Sequence, residues 1–198
     1  SEVVLVGDNF DESLDSASRF CRKNKLSFIH PFDDPEVISG QGTIGKEIIE
    51  DFQEKIDVIF VAVGGGGLIS GLGAYIKSLN PKIKIVAVEA EDAAGLFKSL
   101  EVGKRIKLDK VGLFADGAAA KQIGLNNYQL IKEWLDDSIT VSTDEICAAV
   151  KDTFAETRTV PEPTGALALA GLKKYIAKRK IKNKNLIATY CGSNLNFE

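Results

Sequence analysis

The chain has 198 residues, of which 44% are apolar and 27% charged, and its formal net charge at pH 7 is −3. This composition is typical of a globular protein with a packed core and excludes a disordered polymer. The small negative charge gives no basis for binding nucleic acid or an acidic membrane, and no apolar run reaches the roughly 20 residues of a membrane-spanning helix.

Apolar runs and helical patterns alternate along the chain. The predicted strands are continuous runs rich in Val and Ile, which is typical of strands buried on both faces of a parallel sheet: Val3–Val6, Val58–Val63, Ile83–Val88 and Leu186–Tyr190. Helical spacing predicts helices over 9–24, 43–55, 68–79 and 126–135, and two more that begin at a capping box, Ser142 to Glu145, and at Pro163. The alternation predicts an α/β fold, a twisted parallel sheet with helices on both faces.

The predicted domain boundary lies at residues 30–35, where two prolines and two aspartates interrupt regular structure. Residues 1–32 would form one strand–helix–strand unit, which is too small to fold alone and must pack on other protein. Residues 33–198 would form the second, larger unit. Because the chain starts at Ser1, contains no Met and runs directly into a strand-like segment, we expect it to be an internal piece of a longer protein.

Three cysteines, Cys21, Cys147 and Cys191, and one histidine, His30, limit the available side-chain chemistry. The cysteines are odd in number, far apart and without a C-x-x-C pair, which argues against a disulfide framework and against a zinc site. No secretory signal is visible. We therefore expect a cytoplasmic protein with reduced thiols, in which His30 has a structural role.

Four consecutive glycines, Gly64–Gly67, join a predicted buried strand to a predicted helix that begins at Leu68. The backbone N–H groups of such a loop can converge on an anion at the helix N-terminus, which predicts a phosphate site. The Gly-Lys-Ser/Thr of a triphosphate-binding loop is missing. A dinucleotide site stays open as an alternative, because Glu89 ends the next strand as a ribose-binding acid would, although Ser70 replaces the third glycine of that motif. A turn without a ligand is the other alternative.

Three further segments are candidates for a ligand site, residues 112–117, 162–166 and 191–194. Glu162 precedes a predicted helix, and its spacing alone favours a helix-terminal charge. Cys191 directly follows the last predicted strand, and in parallel sheets the carboxyl ends of the strands face the ligand crevice. The basic residues of 173–184 are interpreted as a solvated helix end, since only Tyr175 among them is aromatic.

Five motifs in one order carry a family resemblance: V-A-V-G-G-G-G-L at 61–68, V-A-V-E-A-E at 86–91, G-L-F-A-D-G at 112–117, E-P-T-G-A at 162–166 and C-G-S-N-L-N-F at 191–197. Together they resemble the pyridoxal-phosphate-dependent threonine dehydratases of the biosynthetic kind, over essentially the whole chain. The resemblance implies the tryptophan-synthase-β-like fold, fold type II, with the cofactor between a small and a large α/β domain. Residues 1–32 would then be the last unit of the small domain, and residues 33–198 most of the large one.

The resemblance also assigns roles to individual residues. It implies pyridoxal 5'-phosphate as the cofactor, with its phosphate wrapped by Gly64, Gly65, Gly66, Gly67 and Leu68. Gly117 would lie near the cofactor ring and Glu162 close behind the pyridine nitrogen. Cys191 would face that nitrogen, at a position where threonine-specific members usually have Ser and serine-dehydrating relatives often have Cys. Asp116 matches an acidic position that relatives use for a cation, but we expect no metal here.

The implied reaction is the conversion of L-threonine to 2-oxobutanoate and ammonia by β-elimination, the entry to isoleucine biosynthesis, with serine as the other candidate substrate. None of the lysines, including Lys46, Lys121 and Lys151, has the context of the family's Schiff-base lysine, and neither its substrate-carboxylate loop nor its isoleucine-sensing domain is recognisable. We therefore expect an inactive piece of a homo-oligomeric enzyme that acts on a small amino acid and binds neither nucleic acid nor membrane. An NAD-dependent oxidoreductase domain and a non-catalytic ligand-binding module are the alternatives.

Overall fold

The structure, a computed structural model, describes residues 3–195. Asn196 and Phe197, the last two residues of the final motif, lie outside the described residues. The helices are α1 (Phe10–Asn24), α2 (Pro35–Asp51), α3 (Gly67–Leu79), α4 (Gly95–Glu101), α5 (Leu125–Trp134), α6 (Thr143–Thr157) and α7 (Pro163–Arg179). The strands are β1 (Val58–Ala62), β2 (Lys84–Ala90), β3 (Asp137–Val141) and β4 (Leu186–Ala188).

The strands form one sheet in the order β3-β2-β1-β4, and all three neighbouring pairs are parallel. Strand β1 lies in the centre and is buried on both faces. Phe60 and Ala62 point into a core made with α6 and α7, whereas Ile59 and Val61 point into a core made with α3 and α5. The predicted parallel sheet with helices on both faces is therefore confirmed.

Helix α2 lies outside α3 and contacts it closely through glycines. A Cβ added to Gly45 would lie 3.0 Å from the Leu72 carbonyl oxygen, and one added to Gly71 would overlap the Ile38 carbonyl oxygen. Helix α2 begins eight residues before its predicted start at 43, because the Asp34 carboxylate accepts hydrogen bonds from the N–H groups of residues 36 and 37 and Pro35 occupies the first turn. None of the described helices is long and apolar enough to cross a lipid bilayer.

The local helix signals after residue 140 are confirmed. The Ser142 hydroxyl accepts a hydrogen bond from the Glu145 N–H at 3.3 Å, and the Glu145 carboxylate accepts one from the Ser142 N–H at 2.8 Å. This reciprocal pair starts α6. Pro163 starts α7, where its missing N–H costs no intrahelical hydrogen bond.

Some predictions of secondary structure need correction. The predicted strand Val3–Val6 is not formed, nor is a second strand before the boundary, because no described segment pairs with this part of the chain and a strand needs a hydrogen-bonded neighbour. Leu5 is 92% exposed. Strand β3 was not predicted, because its sequence D-S-I-T-V is half polar, as suits a half-buried edge strand. The short helix α4 was also not predicted.

Candidate functional site

A cleft of about 560 Å³ opens at the carboxyl edge of the sheet. Its walls come from the loop after β1, the turn at residues 117–118, the start of α7 and the segment after β4. The carboxyl ends of parallel strands meet at one edge of a sheet, so segments distant in sequence converge there. All eight residues predicted for the site line this one cleft: Gly64, Gly65, Gly66, Gly67, Leu68, Gly117, Glu162 and Cys191.

The glycine loop presents unpaired backbone donors. Gly66 is the N-cap of α3 and has φ +96°, a left-handed conformation that favours glycine. Within residues 3–195, none of the backbone N–H groups of residues 64–68 donates a hydrogen bond to a protein acceptor. Such orphan donors at a helix N-terminus attract an anion.

The glycines also admit neighbouring protein, which the sequence did not reveal. A Cβ added to Gly64 would lie 2.8 Å from the Ala118 Cα, and one added to Gly65 would overlap the Phe32 ring. Phe32 lines the cleft and stacks on Phe10, with 5.7 Å between the ring centroids. The segment before α2 therefore closes one side of the cleft through an aromatic contact.

Glu162 ties the loop after β4 to the start of α7. Its carboxylate accepts a hydrogen bond from the Asn194 N–H at 2.9 Å, and its own N–H donates to the Gly192 carbonyl oxygen at 3.1 Å. A Cβ on Gly192 would overlap this carboxylate. Gly117 lies alongside, since a Cβ added to it would be 3.2 Å from a Glu162 carboxylate oxygen.

Cys191 places a neutral thiol in the cleft. The residue as a whole is solvent-exposed, but its Sγ lies 3.7 Å from the Thr164 carbonyl oxygen. Desolvation of the thiol, and secondarily the nearby charge of Glu162, raises the pKa of Cys191 to about 11. At neutral pH the side chain is therefore a thiol and not a thiolate.

Thr164 is a site residue that sequence reasoning did not single out, although it belongs to the E-P-T-G-A motif. It lines the cleft and is only 7% exposed. Its hydroxyl oxygen is buried without a hydrogen-bond partner among the described residues. Buried polar atoms are normally paired, so this hydroxyl points to a ligand or water in the cleft.

Glu89, the candidate ribose-binding acid, does not line the cleft. The Glu89 side chain is 1% exposed, and its two carboxylate oxygens accept hydrogen bonds from the Leu96 and Phe97 N–H groups at 2.8 and 2.7 Å. The alternative of a dinucleotide site with Glu89 as its ribose-binding acid is therefore not supported, because both oxygens are used at the start of α4 and the residue does not line the cleft.

The lysines and the acidic candidate for a cation also lie outside the centre of the site. Among the described residues that line the cleft there is no lysine, and Lys46 pairs with Glu50 on α2. The Asp116 carboxylate accepts a hydrogen bond from the Gly117 N–H at 2.9 Å. Residues 3–195 contain no group of three or more His, Cys, Asp or Glu side chains placed to hold a metal ion.

His30 accepts hydrogen bonds from the backbone of residues 32 and 33, which is a structural role.

The fold and the cleft define an α/β protein whose candidate ligand site combines a glycine-rich loop of unpaired N–H groups with a neutral thiol and a hydroxyl. Residues 1–192 match the model of the family described as "Pyridoxal-phosphate dependent enzyme", and the chain belongs to this family. The family's members use pyridoxal phosphate.

Similarity to individual proteins is high. The chain is 48% identical over 197 residues to the biosynthetic L-threonine dehydratase of Burkholderia multivorans, covering all of this chain and 39% of that protein. It is 48% identical over 201 residues to the mitochondrial threonine dehydratase of Schizosaccharomyces pombe, covering 34% of that protein. The processed form of threonine deaminase isoform 2 from Solanum lycopersicum superposes with a TM-score of 0.94 at 43% identity, over 98% of this chain and 53% of that one.

The chain thus spans less than two fifths of the length of these two curated relatives. Its fold is that of threonine deaminase, fold type II, as the motif resemblance implied.

Proposed function

We propose that this chain forms the phosphate-binding and ring-binding side of the cofactor site in a threonine dehydratase that converts L-threonine to 2-oxobutanoate and ammonia. The observation that carries the proposal is the convergence of the eight predicted residues on one cleft at the carboxyl edge of the sheet. The identity to threonine dehydratases over the whole chain supports the choice of substrate.

The residues in the cleft fit pyridoxal phosphate. The unpaired N–H groups of residues 64–68 would hold the phosphate, which is the most highly charged part of the molecule. The unpartnered Thr164 hydroxyl and the Cys191 thiol belong to residues that line the same cleft, and they would serve the ring. When bound, the cofactor supplies a ring that withdraws electrons from the α carbon of the amino acid and so stabilises negative charge there.

The neutral thiol has a consequence for the reaction. A carboxylate beside the ring nitrogen would hold that nitrogen protonated and make the ring a strong electron acceptor. Cys191, with its pKa raised to about 11, supplies no such charge. A neutral side chain at this position would leave the ring nitrogen without a charged partner, and this would favour loss of the β-hydroxyl over transamination. Glu162 acts on the loop after β4 through its hydrogen bond to Asn194 and so positions the thiol.

We further propose that residues 1–32 belong to a second, smaller domain that packs over the cleft and that the family's cofactor-bearing lysine lies outside this chain. Helix α1 has no buried residue although it carries apolar side chains such as Phe20, which is 49% exposed. No lysine of the described residues lines the cleft. The isolated 198-residue chain is therefore expected to show no turnover of threonine with added pyridoxal phosphate, and detection of 2-oxobutanoate would contradict this.

The alternatives are weaker. A nicotinamide site would need Glu89 free to bind a ribose, and Glu89 is buried and engaged by backbone N–H groups. Serine is the remaining alternative substrate, favoured by Cys191. Assaying the native gene product for 2-oxobutanoate from threonine and for pyruvate from serine distinguishes the two substrates.

Cofactor binding is tested with the native gene product. Titration with pyridoxal phosphate is expected to produce a saturable absorbance change in the near-ultraviolet or visible region, whereas NAD is expected to produce none. Gly66→Ala should weaken binding at least about tenfold, because φ +96° strains any side chain and the loop must shift. Gly103→Ala is the matched control, since Gly103 also has positive φ, at +70°, but does not line the cleft. Equal effects of the two variants would contradict the assignment of the loop.

A further inference from the structure

We propose that Asn127 is a positioning residue that fixes the orientation of the glycine loop and thereby sets the strength of its phosphate binding. The inference rests on the proposed function, because it concerns the same loop. Asn127 lies in the first turn of α5 and does not line the cleft. Any effect of this residue on the cofactor therefore acts through the loop.

Asn127 connects two segments that meet at the cleft. Its side-chain Nδ2 donates one hydrogen bond to the Phe32 carbonyl oxygen at 2.8 Å and another to the Gly65 carbonyl oxygen at 3.0 Å. The residue is fully buried. The side-chain amide therefore uses both of its N–H donors, one on the segment before α2 and one on the glycine loop.

The Gly65 carbonyl oxygen is held twice, since the Gly124 N–H also donates to it, at 2.9 Å. In the trans peptide that joins Gly65 to Gly66, the carbonyl and the following N–H point in opposite directions. Holding the Gly65 carbonyl oxygen against α5 therefore turns the Gly66 N–H away from α5. Gly66 lines the cleft, so the Asn127 side chain and the N–H of Gly124, the N-cap of α5, determine where this amide is aimed.

Asn127 also packs closely against the glycine loop. A Cβ added to Gly66 would lie 2.9 Å from the Asn127 Cβ. Gly66, in its left-handed conformation, therefore packs against the Asn127 Cβ. The amide of the same side chain holds the Gly65 carbonyl oxygen of the preceding peptide. The Asn127 Oδ1 is buried without a hydrogen-bond partner among the described residues. Keeping an unpaired oxygen there is unfavourable, so packing alone gives no reason for an amide at this position.

The neighbouring Asn126 provides a matched control. Its Nδ2 donates to the Asp33 carbonyl oxygen at 3.3 Å, on the same segment that Asn127 contacts through Phe32, but it makes no hydrogen bond to the glycine loop. Both asparagines thus fasten α5 to the segment before α2, and Asn127 alone of the two reaches the loop.

The experiment compares Asn127→Ala and Asn126→Ala in the native gene product, with pyridoxal phosphate and pyridoxal as probes. Asn127→Ala is expected to raise the Kd for pyridoxal phosphate about tenfold, because the loop loses about one hydrogen bond that orients it. The Kd for pyridoxal, which has no phosphate, is expected to rise less than twofold. Asn126→Ala is expected to leave both constants within twofold. The phosphorus-31 chemical shift of the bound cofactor should move in Asn127→Ala and not in Asn126→Ala.

A merely structural role of Asn127 predicts a different pattern, in which both probes weaken equally and in step with the loss of thermal stability of the cofactor-free protein. That pattern, or unchanged binding in Asn127→Ala, overturns the inference while the proposed function stands. Failure of the wild-type protein to bind pyridoxal phosphate overturns both. If Asn127→Ala does not fold, Asn127→Ser, which keeps a shorter hydrogen-bond donor, carries the same comparison.

Discussion

Two ionisable side chains, the buried Glu89 and the partly desolvated Cys191, show how loss of hydration changes acidity at the scale of single residues. Burial raises the pKa of Glu89 to about 7, and the backbone N–H groups of residues 95–97 only partly offset that cost. Desolvation likewise raises the pKa of Cys191 to about 11. Glu89 is a structural acid that holds the start of α4, whereas Cys191 lies in the cleft, where its neutrality affects the proposed reaction.

Glu89 makes stability depend on pH. The native state retains its proton up to about pH 7, whereas the unfolded chain releases it near the ordinary value of 4.5, so the free energy of unfolding falls as the pH rises across that window. The pKa difference corresponds to about 3 kcal/mol. In Glu89→Gln, which does not titrate, urea unfolding from pH 4.5 to 8 is expected to lose this component of the slope. Glu101→Gln, at the exposed end of α4, is the control, and an unchanged slope in Glu89→Gln would contradict the prediction.

Cys191 is expected to tolerate a neutral replacement and not a charged one. In the native gene product, Cys191→Ser should keep kcat for threonine within about tenfold, because a hydroxyl also leaves the ring nitrogen without a charged partner. Cys191→Asp should lower kcat by more than about a hundredfold, since it adds a carboxylate beside Glu162 and at the ring. Steady-state assay of 2-oxobutanoate measures both. Similar activity of the two variants would show that the charge at this position does not matter.

At the scale of elements, the contact between α2 and α3 is made possible by the absence of side chains. Gly71 of α3 lies directly against the Ile38 carbonyl oxygen of α2. This contact matters for the cleft, because α3 carries the glycine loop at its start and α2 supplies Gln41 and Ile44 to the lining of the cleft.

Two glycine substitutions on this helix pair are expected to have opposite effects. Gly71→Ala should lower the free energy of unfolding by about 1–3 kcal/mol, because the methyl group forces the helices apart. Gly40→Ala on α2 has no atom within 4 Å of the new Cβ and should raise it by about 0.5–1 kcal/mol through helix propensity. Urea unfolding monitored by circular dichroism measures both. A stabilising effect of Gly71→Ala would refute the close helix contact.

At the scale of the whole molecule, the described residues divide into a well-packed α/β body and an amino-terminal segment whose side chains are largely exposed. The body has two cores, one on each face of the sheet. Before residue 31, no residue of α1 is buried and Val3, Leu5 and Ile29 are 79%, 92% and 74% exposed. Exposed apolar side chains of this extent are typical of an interface, which agrees with the proposed second domain.

Limited proteolysis tests this organisation. Trypsin is expected to cut the isolated chain first after Arg22, Lys23 or Lys25, which are exposed at the end of α1, and to leave the sheet-containing body intact. In the native gene product the same sites should be protected, if residues 1–32 pack on a second domain. Mass spectrometry of the first products identifies the cuts. Equal cutting in both forms would contradict the domain proposal.

Features whose physical cause lies within a few residues could be predicted from the order of amino acids alone. The apolar runs of β1 and β2 predicted strands buried on both faces, the Ser142–Glu145 box predicted the start of α6, and the glycine run predicted a strand-to-helix loop with free amides. Each depends on periodicity, capping or backbone freedom, which are local properties. The order of the five motifs indicated the family, because several motifs in one order are more specific than any one of them.

Which of these side chains meet depends on how the elements pack in three dimensions. Glu89 turns inward to α4 and away from any ligand, Asn127 reaches a glycine loop 62 residues away, and Phe32 closes the cleft from the segment before α2. The half-polar β3 is a strand because β2 offers it an edge, whereas the apolar Val3–Val6 is not one because nothing described pairs with it. Contacts between distant segments are fixed by packing and by hydrogen-bond partners, and neither is encoded in local pattern.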